Sequence, residues 1–551
     1  MAGIAERFGR LSVFALCILL ALIAIVAQPV TPWGKLLAAI PIALVFVGIR
    51  DLLQSSHAIL RNYPVIGHVR WLVETIRPEI RQYLLEDENF QTPFSRAQRS
   101  LVYRRAKAVS SEQPFGTLMP TYASDYEFIQ HSMRPLDHLD PNSLRITIGN
   151  DQCRQPYSAS VLNISGMSFG ALSANAIRAL NKGAAMGGFY HTTGEGSISA
   201  YHREHGGDLV WQIGSGYFGC RTADGRFDPD KFSAQAQAPP VRMIELKLSQ
   251  GAKPGHGGVL PGPKVSHEIA TTRGVPQGVD CVSPASHSAF STPLEMMAFI
   301  AQLRTLSGGK PIGFKLCIGH PWEFMAIAKA MLETGITPDF IIVDGAEGGT
   351  GAAPMEFSDH IGTPMREGLL VVHNTLVGAG LRDRVKIGVA GKLITAFDIA
   401  AVLAIGADWA NSARGFMFAL GCIQSLSCNT NRCPTGVATQ DPGRQRALVI
   451  PEKADRVHSF HTRTVAALAD MLAAAGLSHP DDLQPHHIVH RINSSQVRRF
   501  DQLYAYLSPG SLLNNSCDNP QYTEHWARAD ARNFGPVTNK NLPGKAPRAA
   551  A

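Results

Sequence analysis

Residues 339–354 read DFIIVDGAEGGTGAAP: an apolar run too short for a helix, closed by Asp-Gly and followed by a glycine-rich turn. A short apolar run bounded by turn residues reads as a buried strand. The same texture recurs outward from it. Downstream lie VKIGVAG (385–391) and DWANSARGF (408–416), and upstream PIGFKLCI (311–318), GVDCVSP (278–284), VRMIELKL (241–248), GFYHTT (188–193) and SVLNISGM (160–167). Between several of these stand amphipathic helical stretches, LSANAIRALNKGAAM, PLEMMAFIAQLRTL, WEFMAIAKAMLETG and TAFDIAAVLAIGA. Strand–helix alternation argues a parallel α/β sheet, and eight such units fit a TIM (β/α)8 barrel. A doubly wound open sheet is the alternative architecture.

In a barrel the chemistry gathers at the C-terminal ends of the strands. Gly348, Gly349 and Gly351 follow one strand, Gly388, Gly391 and Lys392 the next, and Ser412, Arg414 and Gly415 the last. Glycine lets backbone N–H groups approach a phosphate closely, and such loops after the sixth, seventh and eighth strands form a phosphate site that commonly holds FMN. The competing explanation is tight turns that merely need glycine. Lys315 is a charge in an otherwise apolar strand, and a buried lysine requires a partner. Lys253, in QGAKPGHGG, and Glu195, in HTTGEGS, sit in glycine-rich loops where catalytic groups are expected; solvated loop charges are the plainer alternative.

Just beyond the last strand comes GCIQSLSCNTNRCPTGVATQDP (421–442), with Cys422, Cys428 and Cys433 in the spacing CxxxxxCxxxxCP. Three close thiolates supply the soft ligands of an iron–sulfur cluster, and three protein sulfurs suit a 3Fe-4S centre. Buried small hydrophobes and a zinc site are the alternatives, but zinc wants four ligands and no His lies within the run.

The chain has 551 residues, a net charge of +7 and nine cysteines, six of them scattered without paired spacing. That charge is small for the length and no basic tract is interleaved with aromatics, so nucleic acid is not an expected partner. The cysteine pattern fits a reducing compartment. Residues 11–34 carry no charge and are long enough to span a bilayer, and a second apolar run covers 36–49. Arg7 and Arg10 before the first run and Arg50, Arg61 and Arg70 after the second place both ends in the cytoplasm. A cleaved signal peptide is the rival, but the residues before Ala27 make a poor cleavage site.

The expected organisation is therefore a transmembrane hairpin over 1–50 and a juxtamembrane helical cap over 51–140. A barrel with its cysteine loop follows over 141–475, and a C-terminal extension over 476–551. His486, His487 and His490 in that extension are read as a polar surface turn rather than a metal site.

The runs GMSFGALSANAIRALNKGAAMGGFYHTTGEG, LVWQIGSGYFG, QGAKPGHGGVLPGPKV, FKLCI, DGAEGGTGAAP, GLRDRVKIGVAGKLITAFDIAAVLAIGAD and GCIQSLSCNTNRCPTGVATQDP, in that order over roughly residues 145–475, resemble the FMN-binding domain of glutamate synthase. The chain looks like a stand-alone, membrane-anchored form of that domain. The resemblance implies an FMN barrel with a 3Fe-4S cluster, in which electrons pass from cluster to flavin and a hydride reduces 2-iminoglutarate to glutamate. By motif, Met167, Ser168 and Gln212 would line the flavin and Lys315 would sit at its N1 edge. Gly348, Gly349, Thr350 and Gly391 would hold its phosphate. Glu195 would assist imine formation and proton transfer, and Lys253 would stand beside the 2-oxoglutarate site. Cys422, Cys428 and Cys433 fall on the cluster ligands.

Two departures bear on substrate. His256 replaces an acid of the family's loop, and Val259 replaces a glutamine that helps bind 2-oxoglutarate. The family's GEGGE motif reads GEGSI here, without its second acid at Ile198. No glutamine amidotransferase domain is expected in this chain. The expected activity is reductive amination of 2-oxoglutarate or a similar 2-oxo acid, with ammonia or an amine, and electrons from a ferredoxin-like or NAD(P)H-linked donor. The barrel would work on the cytoplasmic side of the cell membrane, in contact with its lipid. Amine–glutamate transfer chemistry on the same fold, and a non-enzymatic membrane redox sensor or scaffold, are the alternatives.

Overall fold

A computed structural model describes residues 2–27, 34–89 and 92–537. The chain divides into two compact units, Met1–Arg96 and Ala97–Ala551. In the first, helices Ala2–Ala27 and Gly34–Leu53 pack together, with Gly48 lying against the Phe14 ring. Phe14, Cys17 and Ala21 form the buried stripe of the first helix, while Leu16, Leu19, Leu22 and Ile23 are exposed. Gly9–Val26 is long and apolar enough to cross a membrane. The second apolar run also lies within one continuous helix, with Pro41 inside it.

The second unit is built on a closed barrel of eight parallel strands. They are β1 (Leu162–Ile164), β2 (His191–Thr192), β3 (Leu209–Ile213), β4 (Val241–Lys247), β5 (Ile312–Leu316), β6 (Phe340–Asp344), β7 (Lys386–Ala390) and β8 (Trp409–Ser412). The ring closes where Ala410, Asn411 and Ser412 of β8 pair with Leu162, Asn163 and Ile164 of β1. The strands are almost wholly buried, as a barrel jacketed by helices requires.

The eight strands expected from the sequence include one that is not in the barrel. Within 278–284 only Cys281 and Val282 are extended, and they form a two-stranded hairpin with Val259–Leu260, with Val282 exposed. The strand passed over is β3, LVWQI, whose residues are all buried. The two errors cancel in the count, so β5 to β8 keep their expected places. The eighth also stops early: Arg414–Leu420 is helix.

The helices begin where their caps dictate. Ser173 accepts from the Ala176 N–H at the start of Ala174–Gly187. Thr292 with Glu295 and Thr395 with Asp398 form capping boxes on Pro293–Leu306 and Ala396–Ile405. The long helix Ile450–Ala474 packs on Ala174–Gly187, with Gly183 pressed against Val457. Glu127–Ile129 and Val497–Arg499 flank Ile488–Arg491 in a three-stranded antiparallel sheet. In it His490 Nδ1 meets Glu127 Oε1 at 3.0 Å, and Glu127 also pairs with Arg366, which assigns His490 a structural part.

Candidate active site at the barrel mouth

Glu195 follows β2 in a loop whose entry needs glycine. Gly194 has φ +70°, and a side chain there would run into the backbone of Ser168 in the loop after β1. The Glu195 Oε1 accepts from Lys247 Nζ at 2.8 Å, and Lys247 also donates to Gln250 Oε1 at 2.5 Å. Burial works against the charged carboxylate, but Lys247, Arg273 and Lys253 around it bring its pKa below the usual value. Glu195, Lys247, Gln250, Lys253, Ser215 and Gly258 line one pocket. Lys253 is 3% exposed and donates to the Ala352 carbonyl at 3.1 Å; burial lowers its pKa, with Glu195 opposing.

Beside Lys247, its register partner on the next strand, Lys315 begins a second polar set. Lys315 on β5 stands 3.3 Å from Asp344 Oδ2 at the end of β6. Burial alone would discharge this lysine, yet Asp344 and Glu245 outweigh it and raise its pKa. Gln212 on β3 donates to Glu245 on β4, whose pKa is raised by burial, with Lys315 and Gln212 opposing. Met167 and Ser168 follow β1; Met167 is buried, and Ser168 Oγ lies 3.4 Å from Arg273 Nη2.

The rim carries the glycine-rich loops. A side chain at Gly349 would meet Arg414 Nη2, and one at Gly391 would meet the Glu347 carboxylate, which accepts from the Met365 N–H at 3.0 Å. Gly348, Gly349 and Thr350 thus share one loop that faces Gly391 across Glu347, with Arg414 and Lys392 as the nearby cations. This is a cradle a side chain would fill; Arg414 and the glycine backbone suit a phosphate, while the Glu347 carboxylate opposes one, and burial, which raises its pKa, lessens that opposition. The loop after β4 lies on this one: Gly251 N–H donates to Asp344 Oδ2 at 2.9 Å, and any side chain at Gly251 would collide with the Gly345 carbonyl.

The cysteine loop abuts the same rim. A side chain at Gly351 would stand 3.4 Å from the Cys428 Cβ. Cys422, Cys428 and Cys433 are near enough to act on one another electrostatically. Cys433 is buried; burial raises its pKa, but the Thr435 hydroxyl and backbone N–H groups of Ala438, Thr435 and Val437 more than offset that. N–H groups converging on sulfur suit a cluster thiolate. Cys422 is pushed up to about 11 by burial. Gln424, Leu426 and Asn431 take left-handed conformations, which wind the loop tightly. Among the described residues no three His, Cys, Asp or Glu side chains gather closely enough to hold a single metal ion. In a 3Fe-4S centre each thiolate binds its own iron, so its ligands stand further apart than those of one ion. Lys264 pins this loop, donating to the carbonyls of Ala171, Ala438 and Cys428 at 2.9, 3.3 and 3.4 Å.

Three participants escape the sequence reading. Lys247 has a visible signal, since Glu245 and Lys247 are two apart in an apolar strand and must share its inner face. Asp344 is legible only as the end of a strand, because its partner Lys315 is remote in sequence. His287 has none: Tyr217 Oη lies 3.1 Å from its Nδ1, and its Nε2–H donates to the Lys247 carbonyl at 2.8 Å. Burial pushes its pKa down to about 4.

Residues 106–478 match the family profile described as the conserved region in glutamate synthase. The chain belongs to the glutamate synthase family. The glutamate synthase large subunit-like protein YerD of Bacillus subtilis is 38% identical over 507 residues, covering 84% of this chain and 96% of that protein. The archaeal glutamate synthase [NADPH] of Archaeoglobus fulgidus is 33% identical over 321 residues, covering 58% of this chain but only 60% of its own length. Among solved structures, a flavocytochrome b2 variant with pyruvate bound aligns over 77% of this chain and 88% of its own, at 12% identity and a TM-score of 0.41.

Proposed function

We propose that this member of the glutamate synthase family is a membrane-anchored FMN and iron–sulfur oxidoreductase acting at the CH–NH2 level. In this reading it reductively aminates 2-oxoglutarate or a similar 2-oxo acid, with ammonia or an amine, using electrons from a separate donor at the cytoplasmic face. The observation that carries the reading is the convergence of Glu195 and Lys253, far apart in sequence, on one pocket at the barrel mouth with Lys315 close enough to feel the Glu195 charge.

The residues divide the work by their chemistry. Lys253 and Lys247 give the pocket the positive charge that holds a substrate carboxylate. Glu195 is kept ionised by Lys247 on Oε1, which leaves Oε2 to carry a proton from the adding nitrogen to the carbinolamine hydroxyl, which departs as water, and, after taking a proton from solvent, to protonate the nitrogen as the amine develops. Met167, Ser168, Gln212 and Lys315 would hold the flavin ring, Gly348, Gly349, Thr350 and Gly391 its phosphate, and Cys422, Cys428 and Cys433 the cluster. When bound, these groups supply the hydride and the path by which electrons reach it. Asp344 and Glu245 fix the Lys315 ammonium, so that a cation is in place where negative charge would build up.

The names of the archaeal relatives point to a pyridine nucleotide as the ultimate reductant. Val259 lies in the hairpin strand beside the pocket, and His256 packs edge-on against Phe357 at 5.0 Å, so this wall is less polar than an acid and a glutamine would make it. That favours a 2-oxo acid with fewer polar groups than 2-oxoglutarate. The deciding experiment reduces the purified protein and follows flavin reoxidation against 2-oxo acids with ammonia or methylamine. Acceleration by a 2-oxo acid with ammonia is expected. Acceleration only with methylamine and glutamate favours transfer chemistry, and no response to any pair refutes the reductive reading. A colourless, zinc-containing protein would remove both cofactors.

A further inference from the structure

In the first unit, helix Gly67–Ile80 carries an apolar stripe that is exposed among the described residues. Val69, Leu72, Val73 and Ile76 recur at the i, i+3, i+4, i+7 spacing of one helical face, and they are 49%, 61%, 49% and 43% exposed. The chain continues as a π-helical turn, Arg81–Leu85, with Tyr83 as exposed as Leu72 and with Leu84 and Leu85 more exposed still. Arg70 and Arg77 border the stripe on one side. Single exposed apolar residues are ordinary, but a continuous stripe this long marks a surface that meets something apolar.

The helix is fixed in relation to the apolar hairpin. Asp51, near the end of Gly34–Leu53, is fully buried, and it accepts from the Val65 N–H at 3.0 Å and from His68 Nε2 at 2.9 and 3.0 Å. Gly67 is buried against Leu60 of the short helix Ala58–Asn62. The turn between hairpin and stripe is therefore a built joint, and it seats the amphipathic helix directly after the hairpin's end. A helix with one apolar face and arginines along one border has the make-up of one that lies in the plane of a bilayer interface. Its arginines would meet anionic headgroups while the stripe reaches the acyl chains.

We propose that Gly67–Leu85 is a second membrane-contacting element, an interfacial helix bound to an anionic lipid surface on the side where the hairpin's second helix ends. This rests on the reading of Ala2–Ala27 and Gly34–Leu53 as a membrane hairpin. The test uses the full chain reconstituted in vesicles of phosphatidylcholine and phosphatidylglycerol. The photocrosslinker p-benzoylphenylalanine is placed singly at Leu72 in the stripe, at Thr75 outside it, or at Leu19 in the first helix, with circular dichroism confirming that each variant is folded. Lipid adducts are expected at Leu72 and Leu19 and lost at Thr75, and the Leu72 adduct should fall when phosphatidylglycerol is omitted. Adducts at Leu19 but not at Leu72 overturn the proposal and leave the hairpin standing, whereas adducts at neither position overturn both. Equal yields at Leu72 and Thr75, or crosslinks from Leu72 to protein alone, also refute an interfacial helix.

Discussion

Replacing Lys315 with methionine tests the interior polar set most directly, because it removes the cation that faces both Asp344 and Glu245 and keeps the volume of the side chain. At the observed 3.3 Å, Coulomb's law with an effective dielectric of about 20 gives an attraction of about 5 kcal/mol between Lys315 and Asp344. Breaking such a pair by deleting one partner typically costs about 3–5 kcal/mol, since the remaining charge stays buried without compensation. For a unit the size of Ala97–Ala551, unfolding entropy makes about 1 kcal/mol correspond to one degree, so Lys315→Met should lower Tm by about 3–5 °C at neutral pH.

The pH dependence gives the sharper test. Glu245 already has a raised pKa, with Asp344 contributing to it, and loss of the lysine removes a charge that lowers it. An acid whose folded pKa lies above its unfolded one costs stability only where the unfolded chain is ionised. The deficit of Lys315→Met should therefore shrink as pH falls through the carboxylate range. In the wild type the opposite limb applies: the Lys315 pKa is raised above 10.5, so its stabilisation holds below that pH and is lost only as alkali titrates the folded form. Adding Glu245→Gln to Lys315→Met should restore part of the loss. Thermal unfolding by near-UV circular dichroism reads all of this. An unchanged Tm at neutral pH, or a deficit that does not change on acidification, would refute the ion-pair account.

Glu195→Gln should keep the fold and flavin absorbance while lowering turnover by about 100- to 10,000-fold, the usual worth of a positioned acid–base group; full activity in the reoxidation assay would remove Glu195 from the mechanism. Because neighbouring cations hold the Glu195 pKa below 4.5, its contribution to stability is present above that pH and fades as acid titrates the folded form. The same variant should accordingly flatten the acid limb of the Tm–pH profile. Cys428→Ser should abolish any iron signal in electron paramagnetic resonance and leave far-ultraviolet circular dichroism unchanged, and retention of the signal would reject the ligand assignment. Gly251→Ala should cost about 1–3 kcal/mol through overpacking against the Gly345 carbonyl, measured as a lower Tm with a raised KM for the 2-oxo acid.

The barrel was legible because its strands are short buried runs between helices with clear caps, such as Thr292 and Thr395. What misled was local likeness. GVDCVSP has the apolar content of a strand but is exposed at Val279 and Val282, while LVWQI is a fully buried one. Burial depends on neighbours the sequence does not display. The glycine loops, Glu195, Lys253 and the cysteine run could be picked out because their residue types are unusual for where they stand. Their partners could not: Lys247 meets Glu195, and Asp344 meets Lys315, through pairings set only by how the strands are arranged around the ring. The sheet joining Glu127–Ile129 to Ile488–Arg491 was invisible for the same reason, since each strand is short and its partner lies hundreds of residues away.

The contact of Gly251 with Gly345 has a practical consequence for anyone wishing to change what this protein acts on. Lys253, which lines the pocket, hangs from a loop that rests on the one bearing Gly348, Gly349 and Thr350, and its own ammonium is tied to Ala352 beyond them. The two segments are a matched pair, so a loop borrowed from a relative to alter specificity must bring residues 345–352 with it. Transplanted alone, it would arrive with the wrong floor beneath it.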